Sequence, residues 1–203
     1  EDLRCTGTKE GCAEGDCGAC TVVVGALEGD RVELRAVNAC IQFLPALDGK
    51  ALFTVEDLRP GDGGGLHPVQ QAMVDCHPSQ CGFCTPGFVM SLWGMYLQQE
   101  GRCSLERREI DDAHSGNLCR CTGYRPIIDA AQRMLQLPRV PFDRLGLRDA
   151  LRALRRDEPL SYSVGSQTFH APRTLAQALE LRRSLPAAQL VAGGAKPLAG
   201  GQP

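Results

Sequence analysis

Eight of the eleven cysteines fall into two compact sets whose spacing suits the ligands of iron–sulfur clusters. The first set joins a Cys-x₄-Cys-x₂-Cys run to one more distant cysteine: Cys12, Cys17, Cys20 and Cys40. The second set joins a Cys-x₂-Cys pair to a Cys-x-Cys pair: Cys81, Cys84, Cys119 and Cys121. A [2Fe–2S] cluster takes four cysteine thiolates, and the first spacing is the plant-type arrangement. The two sets together predict a protein that passes single electrons between larger redox centres.

Glycines interleave with the ligands of the first set, at Gly11, Gly15 and Gly18. Glycine lets the backbone approach closely, so that amide N–H groups can point at sulfur and tune the reduction potential. The alternative is a Cys₄ zinc site, which normally uses two short Cys-x₂₋₄-Cys knuckles. One three-cysteine loop closed by a distant cysteine fits zinc poorly, and this set therefore favours iron–sulfur.

The second set is less specific when it is judged by spacing alone. A Cys-x₂-Cys pair is also the spacing of a zinc knuckle or of a thioredoxin-like redox pair. The pair lies between predicted helices rather than in a βαβ unit, and Cys119-Arg120-Cys121 is too tight for a usual knuckle. The spacing favours a cluster and leaves the two other sites open. Among the remaining cysteines, Cys76 lies on an apolar helical face and is expected to be a buried structural thiol.

The totals exclude several classes of protein. The 203 residues carry a net charge of −2, which favours neither nucleic acid nor an anionic membrane as a partner. No apolar run approaches the ~18 residues of a membrane-spanning helix, and no signal peptide is visible. Short Cys-x₂-Cys spacings favour metal in a reducing compartment over a disulfide scaffold, and we expect a cytoplasmic protein.

Three stretches differ in their hydrophobic period. Residues 1–62 are predicted to be β-rich, with strands at 21–24, 32–36 and 52–55, and they end near a glycine run. Residues 66–138 are predicted to hold four helices, one with Pro68 at its first position, one capped by Thr85, one after Ser104 and one starting at Pro126. Both pairs of the second cysteine set then lie in loops between helices.

The last part of the chain is predicted to be a connector followed by an incomplete domain. Residues 139–158 form a basic, proline-flanked linker. Residues 159–203 contain two short strands at 162–164 and 168–169, a helix capped by Thr174, and a buried strand at 189–192. Gly193 and Gly194 follow that strand, where their amides could meet a phosphate, although a simple turn explains them equally well.

Four segments of the chain resemble the molybdenum hydroxylases, the xanthine dehydrogenase and aldehyde oxidase family: residues 7–12, 15–21, 79–87 and 116–126. The resemblance covers about residues 1–138. It implies an α+β chain with a plant-type [2Fe–2S] ferredoxin-like β-grasp domain, followed by an all-α four-helix [2Fe–2S] domain. The first cluster would lie nearer the flavin and the second nearer the molybdopterin. Gln80 and Cys121 match positions that approach the pterin of the partner subunit.

The family hydroxylates a carbon next to a ring nitrogen or a carbonyl, with water as the oxygen source. Two electrons leave molybdenum and pass through both clusters to FAD, and then to NAD⁺ or another acceptor. The resemblance therefore implies two [2Fe–2S] clusters in this chain and a large molybdopterin-binding subunit as its partner, in a heterodimer or a dimer of heterodimers. None of the eight cysteines would act as acid, base or nucleophile.

Residues 169–175 and 191–194 resemble the start of the α+β FAD domain that is fused to bacterial xanthine dehydrogenase small subunits. FAD would then be a cofactor, with Gly193 and Gly194 in its phosphate loop and the remainder of the FAD domain as a partner. Two departures from the family are clear. A β-hairpin and helix that precede the residues matching Glu1 to Thr6 are missing, so the β-grasp domain is N-terminally incomplete, and the FAD domain stops early. We expect a fragment of a longer polypeptide or a truncated gene product.

Three other functions compete with an electron-transfer subunit of xanthine dehydrogenase type. One is a stand-alone two-cluster ferredoxin-like carrier. Another is the iron–sulfur subunit of an aldehyde or N-heterocycle oxidoreductase, since substrate specificity would lie on the partner. The third is a degenerate fragment that holds zinc or nothing.

Overall fold

The computed structural model describes residues 5–58, 64–99 and 101–191. They form a mixed fold in which a three-stranded sheet comes first, a group of helices follows, and a hairpin with one helix comes last. The α+β class that the sequence predicts is confirmed at this coarse level. None of the helices in this described part of the chain is long and apolar enough to cross a membrane.

The sheet places β1 in the centre, antiparallel to both neighbours in the order β2-β1-β3. The strands are β1 (Thr21–Glu28), β2 (Arg31–Asn38) and β3 (Ala51–Phe53). β1 and β2 pair from Thr21 opposite Asn38 to Glu28 opposite Arg31, which brings the residues before β1 close to those after β2. The third strand ends two residues earlier than predicted, because the Asp57 carboxylate accepts from the Thr54 amide and starts a 3₁₀ turn at residues 55–58.

Four helices follow in the region that the sequence predicts to be helical: α1 (Pro68–Cys76), α2 (Thr85–Gln98), α3 (Arg107–His114) and α4 (Arg125–Arg133). α2 is the centre of the core, since eleven of its fourteen residues are buried. One side of α2 packs on β1, and α1 packs against α4. The sheet and the helices therefore share one hydrophobic core, with Val23 of β1 and Leu92 of α2 both fully buried.

A further helix, α5 (Arg144–Leu154), occupies the stretch that the sequence analysis treated as a connector. Asp143 caps it by accepting a hydrogen bond from the Gly146 amide at 2.8 Å. Leu147 and Leu151, one turn apart, face inward, and Leu151 is only 1% exposed. α5 contacts β1 and β2, so the linker that the sequence predicts contains a helix that packs on the sheet. The burial of Leu151 stabilises this helix.

The end of the chain contains a β-hairpin, β4 (Leu160–Val164) with β5 (Gln167–Ala171), and the helix α6 (Leu175–Ser184). The strands and the Thr174 cap are confirmed, since the Thr174 hydroxyl accepts from the Gln177 amide. The buried strand predicted at 189–192 is wrong for residues 189–191, which are irregular and exposed. In the described structure β4 and β5 pair only with each other, so no sheet edge holds that segment. Gly193 and Gly194 lie outside the described residues.

Candidate metal centre

The first ligand loop, residues 7–20, contains no helix or strand and is shaped by left-handed backbone at Ala13 and Gly15. This shape turns the amides of Asp16 and Cys17 toward the Cys12 sulfur, at 3.4 and 3.3 Å. Hydrogen bonds from the amides of Cys17, Glu14 and Asp16 lower the pKa of Cys12 from 9.0 to about 6. The loop therefore stabilises a thiolate, which is the form that binds iron.

The β1–β2 register brings Cys40 to this loop. Cys20 lies directly before β1, and Cys40 lies two residues after β2. The Cys40 amide donates to the Cys20 sulfur at 3.4 Å, and the Ala39 amide donates to the Cys20 carbonyl at 3.2 Å. Burial and the neighbouring Cys20 thiol raise the pKa of Cys40 to about 11. The side chain of Asn38 adds a hydrogen bond to the Gly15 carbonyl at 2.6 Å.

The second set is assembled from two loops at the ends of helices, residues 79–84 before α2 and residues 117–122 before α4. The Cys81 and Cys121 sulfurs are 3.7 Å apart. The Phe83 amide lowers the pKa of Cys81, and the contact with Cys81 raises the pKa of Cys121. The Gln80 side chain donates to the Cys121 carbonyl at 3.1 Å, which joins the two loops.

Cys84 and Cys119 form the deeper pair of the second set. Cys84 is the N-cap residue of α2, so the cap lies one position earlier than the Thr85 cap that the sequence predicts. Burial and the Cys119 thiol raise the pKa of Cys84 to about 12. Burial opposes ionisation of Cys119 as well, but hydrogen bonds from Thr122 and from nearby amides outweigh it and lower the pKa. The Tyr124 hydroxyl accepts from the Cys119 amide at 3.0 Å and fixes this loop.

The eight thiols are thus gathered in four pairs: Cys12 with Cys17, Cys20 with Cys40, Cys81 with Cys121, and Cys84 with Cys119. Within the described ranges, no three His, Cys, Asp or Glu side chains gather around one point as ligands of a single metal ion do. Two pairs for each set match a binuclear cluster, in which each iron takes two thiolates. The donors present fit two [2Fe–2S] clusters.

Sequence reasoning missed Asn117, which is buried between the two cysteine sets and hydrogen-bonds to both regions. Asn117 lies in the segment 116–126 that resembles the molybdenum hydroxylases, but nothing in that segment indicates its bond to Gly18. Two apolar side chains near the second set were also missed. Phe83 and Leu118 are 46% and 48% exposed beside Cys84 and Cys119. An exposed apolar surface around ligand loops is typical of a contact with a partner.

The chain is similar to a known [2Fe-2S] binding domain, to xanthine dehydrogenases and to an aldehyde oxidase. Residues 54–132 match the family model described as a [2Fe-2S] binding domain. A xanthine dehydrogenase of Blastobotrys adeninivorans is 52% identical over 128 residues, which is 62% of this chain and 9% of that protein. Aldehyde oxidase 1 of Rattus norvegicus is 48% identical over 134 residues, 65% of this chain and 10% of that protein. The chain thus spans about a tenth of the length of these curated relatives.

The match to a solved structure covers a larger share of the related chain. The quinoline 2-oxidoreductase of Pseudomonas putida 86 includes a chain that is 31% identical, with a TM-score of 0.54. The match covers 73% of the present chain and 76% of that one. The similarity therefore extends over most of both chains.

Proposed function

The chain belongs to the xanthine dehydrogenase and aldehyde oxidase family of molybdenum hydroxylases, and on that premise we propose that it is an electron-transfer subunit of a xanthine dehydrogenase-type enzyme. Its eight paired cysteines would hold two [2Fe–2S] clusters, the first on Cys12, Cys17, Cys20 and Cys40 and the second on Cys81, Cys84, Cys119 and Cys121. Substrate chemistry would take place on a separate molybdopterin subunit. The observation that carries this proposal is the gathering of the thiols into two pairs for each set.

Each cluster, when bound, accepts and returns one electron without a proton or a bond being transferred. The chain's own residues hold the sulfur ligands, donate amide hydrogen bonds to them and limit the access of water. In the second set, Cys121 and Gln80 lie at the surface whereas Cys84 is half-buried. We place the molybdopterin partner against this exposed end, where Phe83 and Leu118 provide apolar contact area.

Finer assignments belong to the same proposal. The sheet with its ligand loop would be a β-grasp domain, α1–α4 the four-helix cluster domain, and β4 to α6 part of an FAD domain. Electrons would leave through FAD to NAD⁺, in a cytoplasmic heterodimer or dimer of heterodimers. In this last region Val164 is 62% and Leu175 76% exposed, which would leave apolar side chains available for contact within such a domain.

The test is to isolate the tagged chain anaerobically from its own organism and to measure molybdenum, FAD and iron in the purified complex. The complex is then mixed with xanthine, with an aldehyde or with an N-heterocycle, and reduction of the clusters is followed. We expect one molybdenum per chain in the complex. We also expect xanthine to reduce the clusters. A chain that purifies alone with iron but without molybdenum would contradict the proposal and indicate a stand-alone carrier.

A matched pair of variants locates the partner surface. Gln80→Ala removes the hydrogen bond to the Cys121 carbonyl, and we expect it to lower the amount of molybdenum that co-purifies. Gln71→Ala is the control, because Gln71 is on α1 and bonds only locally to Asp75 at 2.7 Å. Equal molybdenum in both variants would contradict the placement of the partner.

A further inference from the structure

A cavity of about 380 Å³ opens beside the second cysteine set, and the proposed relay does not use it. One of its walls is a single face of α3, because Arg107, Asp111 and His114 line it and lie four and three residues apart. This face extends along about 10 Å of the helix axis. Tyr124 at the start of α4 also lines the cavity, and its hydroxyl accepts from the Cys119 amide at 3.0 Å. The volume is in the range of pockets that hold small molecules.

His114 is a buried polar side chain that the fold leaves without a partner. The residue is 8% exposed, and within the described structure neither of its ring nitrogens makes a hydrogen bond. Burial lowers its pKa from 6.5 to about 4, and the nearby Ile110 carbonyl opposes this shift only in part. The ring is therefore neutral at pH 7 and presents one N–H donor and one acceptor nitrogen. Because buried polar groups are normally paired, an unpaired ring that lines a cavity indicates a polar ligand.

The charged residues of the cavity favour an anion. Two arginines and one aspartate line it, which gives a net charge of +1. Arg107 is neutralised, because its Nε donates to both carboxylate oxygens of Asp111, at 2.8 and 2.9 Å. Arg125 is only loosely paired, since the Asp129 carboxylate lies 3.6 Å from its Nε and its side chain is 83% exposed. Arg125 is therefore the cation that is available to a ligand.

The remaining surface of the cavity is apolar and largely aromatic. The centroid of the Phe88 ring lies 5.4 Å from that of His114 and 6.3 Å from that of Tyr124. Ile127 of α4 adds an aliphatic side chain. Aromatic rings pack best in offset or edge-to-face contacts with further rings. A planar aromatic ring is thus the body that fits this surface, and its polar groups would meet His114 and Arg125.

We propose that the cavity binds a small aromatic acid with a ring hydroxyl, in which the hydroxyl pairs with His114 and the carboxylate with Arg125. A hydroxyl both donates and accepts, so it matches a neutral imidazole in either tautomer. A carboxylate accepts two parallel N–H bonds from a guanidinium. The ring between these two groups packs on Phe88. The site is separate from the eight cysteines, and the inference does not depend on the proposed relay.

The test is isothermal titration calorimetry at pH 7 on the full 203-residue chain, purified anaerobically. The probes are 4-hydroxyphenylacetate, phenylacetate, which lacks the hydroxyl, and 4-methylphenol, which lacks the carboxylate. We expect the first probe to bind about tenfold more tightly than either of the others, because each of them loses one polar contact. Absence of saturable binding by 4-hydroxyphenylacetate would overturn the inference and indicate that water alone fills the cavity.

Two variants assign the contacts. His114→Phe removes both ring nitrogens and keeps an aromatic ring, so 4-hydroxyphenylacetate should then bind no more tightly than phenylacetate. Arg125→Gln removes the cation, so the same probe should bind no more tightly than 4-methylphenol. Arg108→Gln is the matched control, because the Arg108 side chain is 89% exposed, pairs with Asp112 and does not line the cavity. This control should keep both preferences of the unmodified chain.

The inference fails if the variants do not separate the two contacts. A preference for the hydroxyl that survives in His114→Phe, or a preference for the carboxylate that survives in Arg125→Gln, would overturn it. Equal losses of affinity in Arg125→Gln and Arg108→Gln would also overturn it, because the effect would then be one of overall charge. Where circular dichroism shows that His114→Phe does not fold, Arg125→Gln decides, since that side chain is exposed.

Discussion

The first cysteine set lies on an irregular loop beside a three-stranded sheet, whereas the second set lies at the starts of two helices. In the first, backbone amides surround Cys12 and lower its pKa to about 6. In the second, Cys84 is the N-cap residue of α2, the most buried of the described helices, and burial raises its pKa to about 12. One set is therefore shaped by loop conformation and the other by the hydrophobic core.

The two cysteine sets therefore differ in how much each depends on the other. The second set is supported by α1–α4 and their core. The first set depends on left-handed residues in its loop, on the β1–β2 register and on contact with the second set at Gly18 and Asn117. A substitution that removes the second cluster should therefore also weaken the first. A substitution that removes the first cluster should leave the second in place.

The largest effects are expected from ligand removal. Cys12→Ala should lose only the first cluster, and iron should fall from about four to about two per chain. Cys84→Ala should lose the second cluster and also weaken the first, because the first turn of α2, where Gly87 lies against the Gly18 carbonyl, is then less well held. Iron analysis with electron paramagnetic resonance measures both outcomes, and Cys76→Ala serves as the control. Loss of both clusters in Cys12→Ala, with one cluster kept in Cys84→Ala, would contradict this account, because the second set would then depend on the first.

The next effect comes from the contact between the sets. Gly18→Ala combines a φ of +69° with overlap on backbone atoms, so we expect loss of the first cluster and a marked fall in the free energy of unfolding. Gly29→Ala is the matched control, since its φ is +62° but nothing lies within 4 Å of the added Cβ. That control should cost only about 1–2 kcal/mol from backbone strain. Equal destabilisation of the two variants, measured by denaturant unfolding, would show that the close contact is unimportant.

A smaller effect is expected in the pH dependence of the free energy of unfolding, which two histidines of the helical region should influence. Burial lowers the pKa of His67 and of His114 from 6.5 to about 4, and both histidines belong to the helical region. The unfolded chain binds these protons first, so their contribution to stability is complete above pH 6.5 and is lost as pH falls toward 4. Each histidine contributes a slope of at most about 1.4 kcal/mol per pH unit.

His114→Phe should remove one of these two slopes, since His114 packs on Phe88 with ring centroids 5.4 Å apart and an apolar ring can replace it. Denaturant unfolding of the metal-free chain at neutral and mildly acidic pH measures the slope. A variant with the acid sensitivity of the unmodified chain would contradict the assignment.

The smallest effect is expected at the end of the chain. α6 has no buried residue, and the described contacts of the last region with the sheet side include the Phe43–Phe169 ring pair at 6.2 Å and the Arg173–Asp48 ion pair at 3.2 Å. Removal of residues 159–203 should leave both cluster signals and the iron content unchanged. Loss of the first signal in that shortened chain would show that the last region supports the first ligand loop.

The sequence predicts well what depends on local chemistry. Cysteine spacing predicts two sets, which the structure brings together as pairs, Pro68 marks the first position of α1, and Thr174 caps α6. These features follow from interactions within a few residues of each other. The mixed fold and the position of the helices between the two cysteine pairs were predictable for the same reason.

Features that depend on distant contacts were missed. α5 lies in a stretch that the sequence predicts to be a linker, and the helix is stabilised by the burial of Leu151 and by its contacts with β1 and β2. Asn117 reaches Gly18 across 99 positions of the sequence, and no local pattern indicates such a bond. The strand predicted at 189–192 is wrong for residues 189–191 for the same kind of reason. In the described structure no neighbouring strand pairs with this apolar segment.

The most direct test of the account is electron paramagnetic resonance on the anaerobically purified, dithionite-reduced chain, with iron and acid-labile sulfide counted on the same sample. The account predicts two distinct signals and about four iron and four sulfide per chain. Zinc without sulfide, or one signal with half that iron, would contradict a two-cluster relay in this chain.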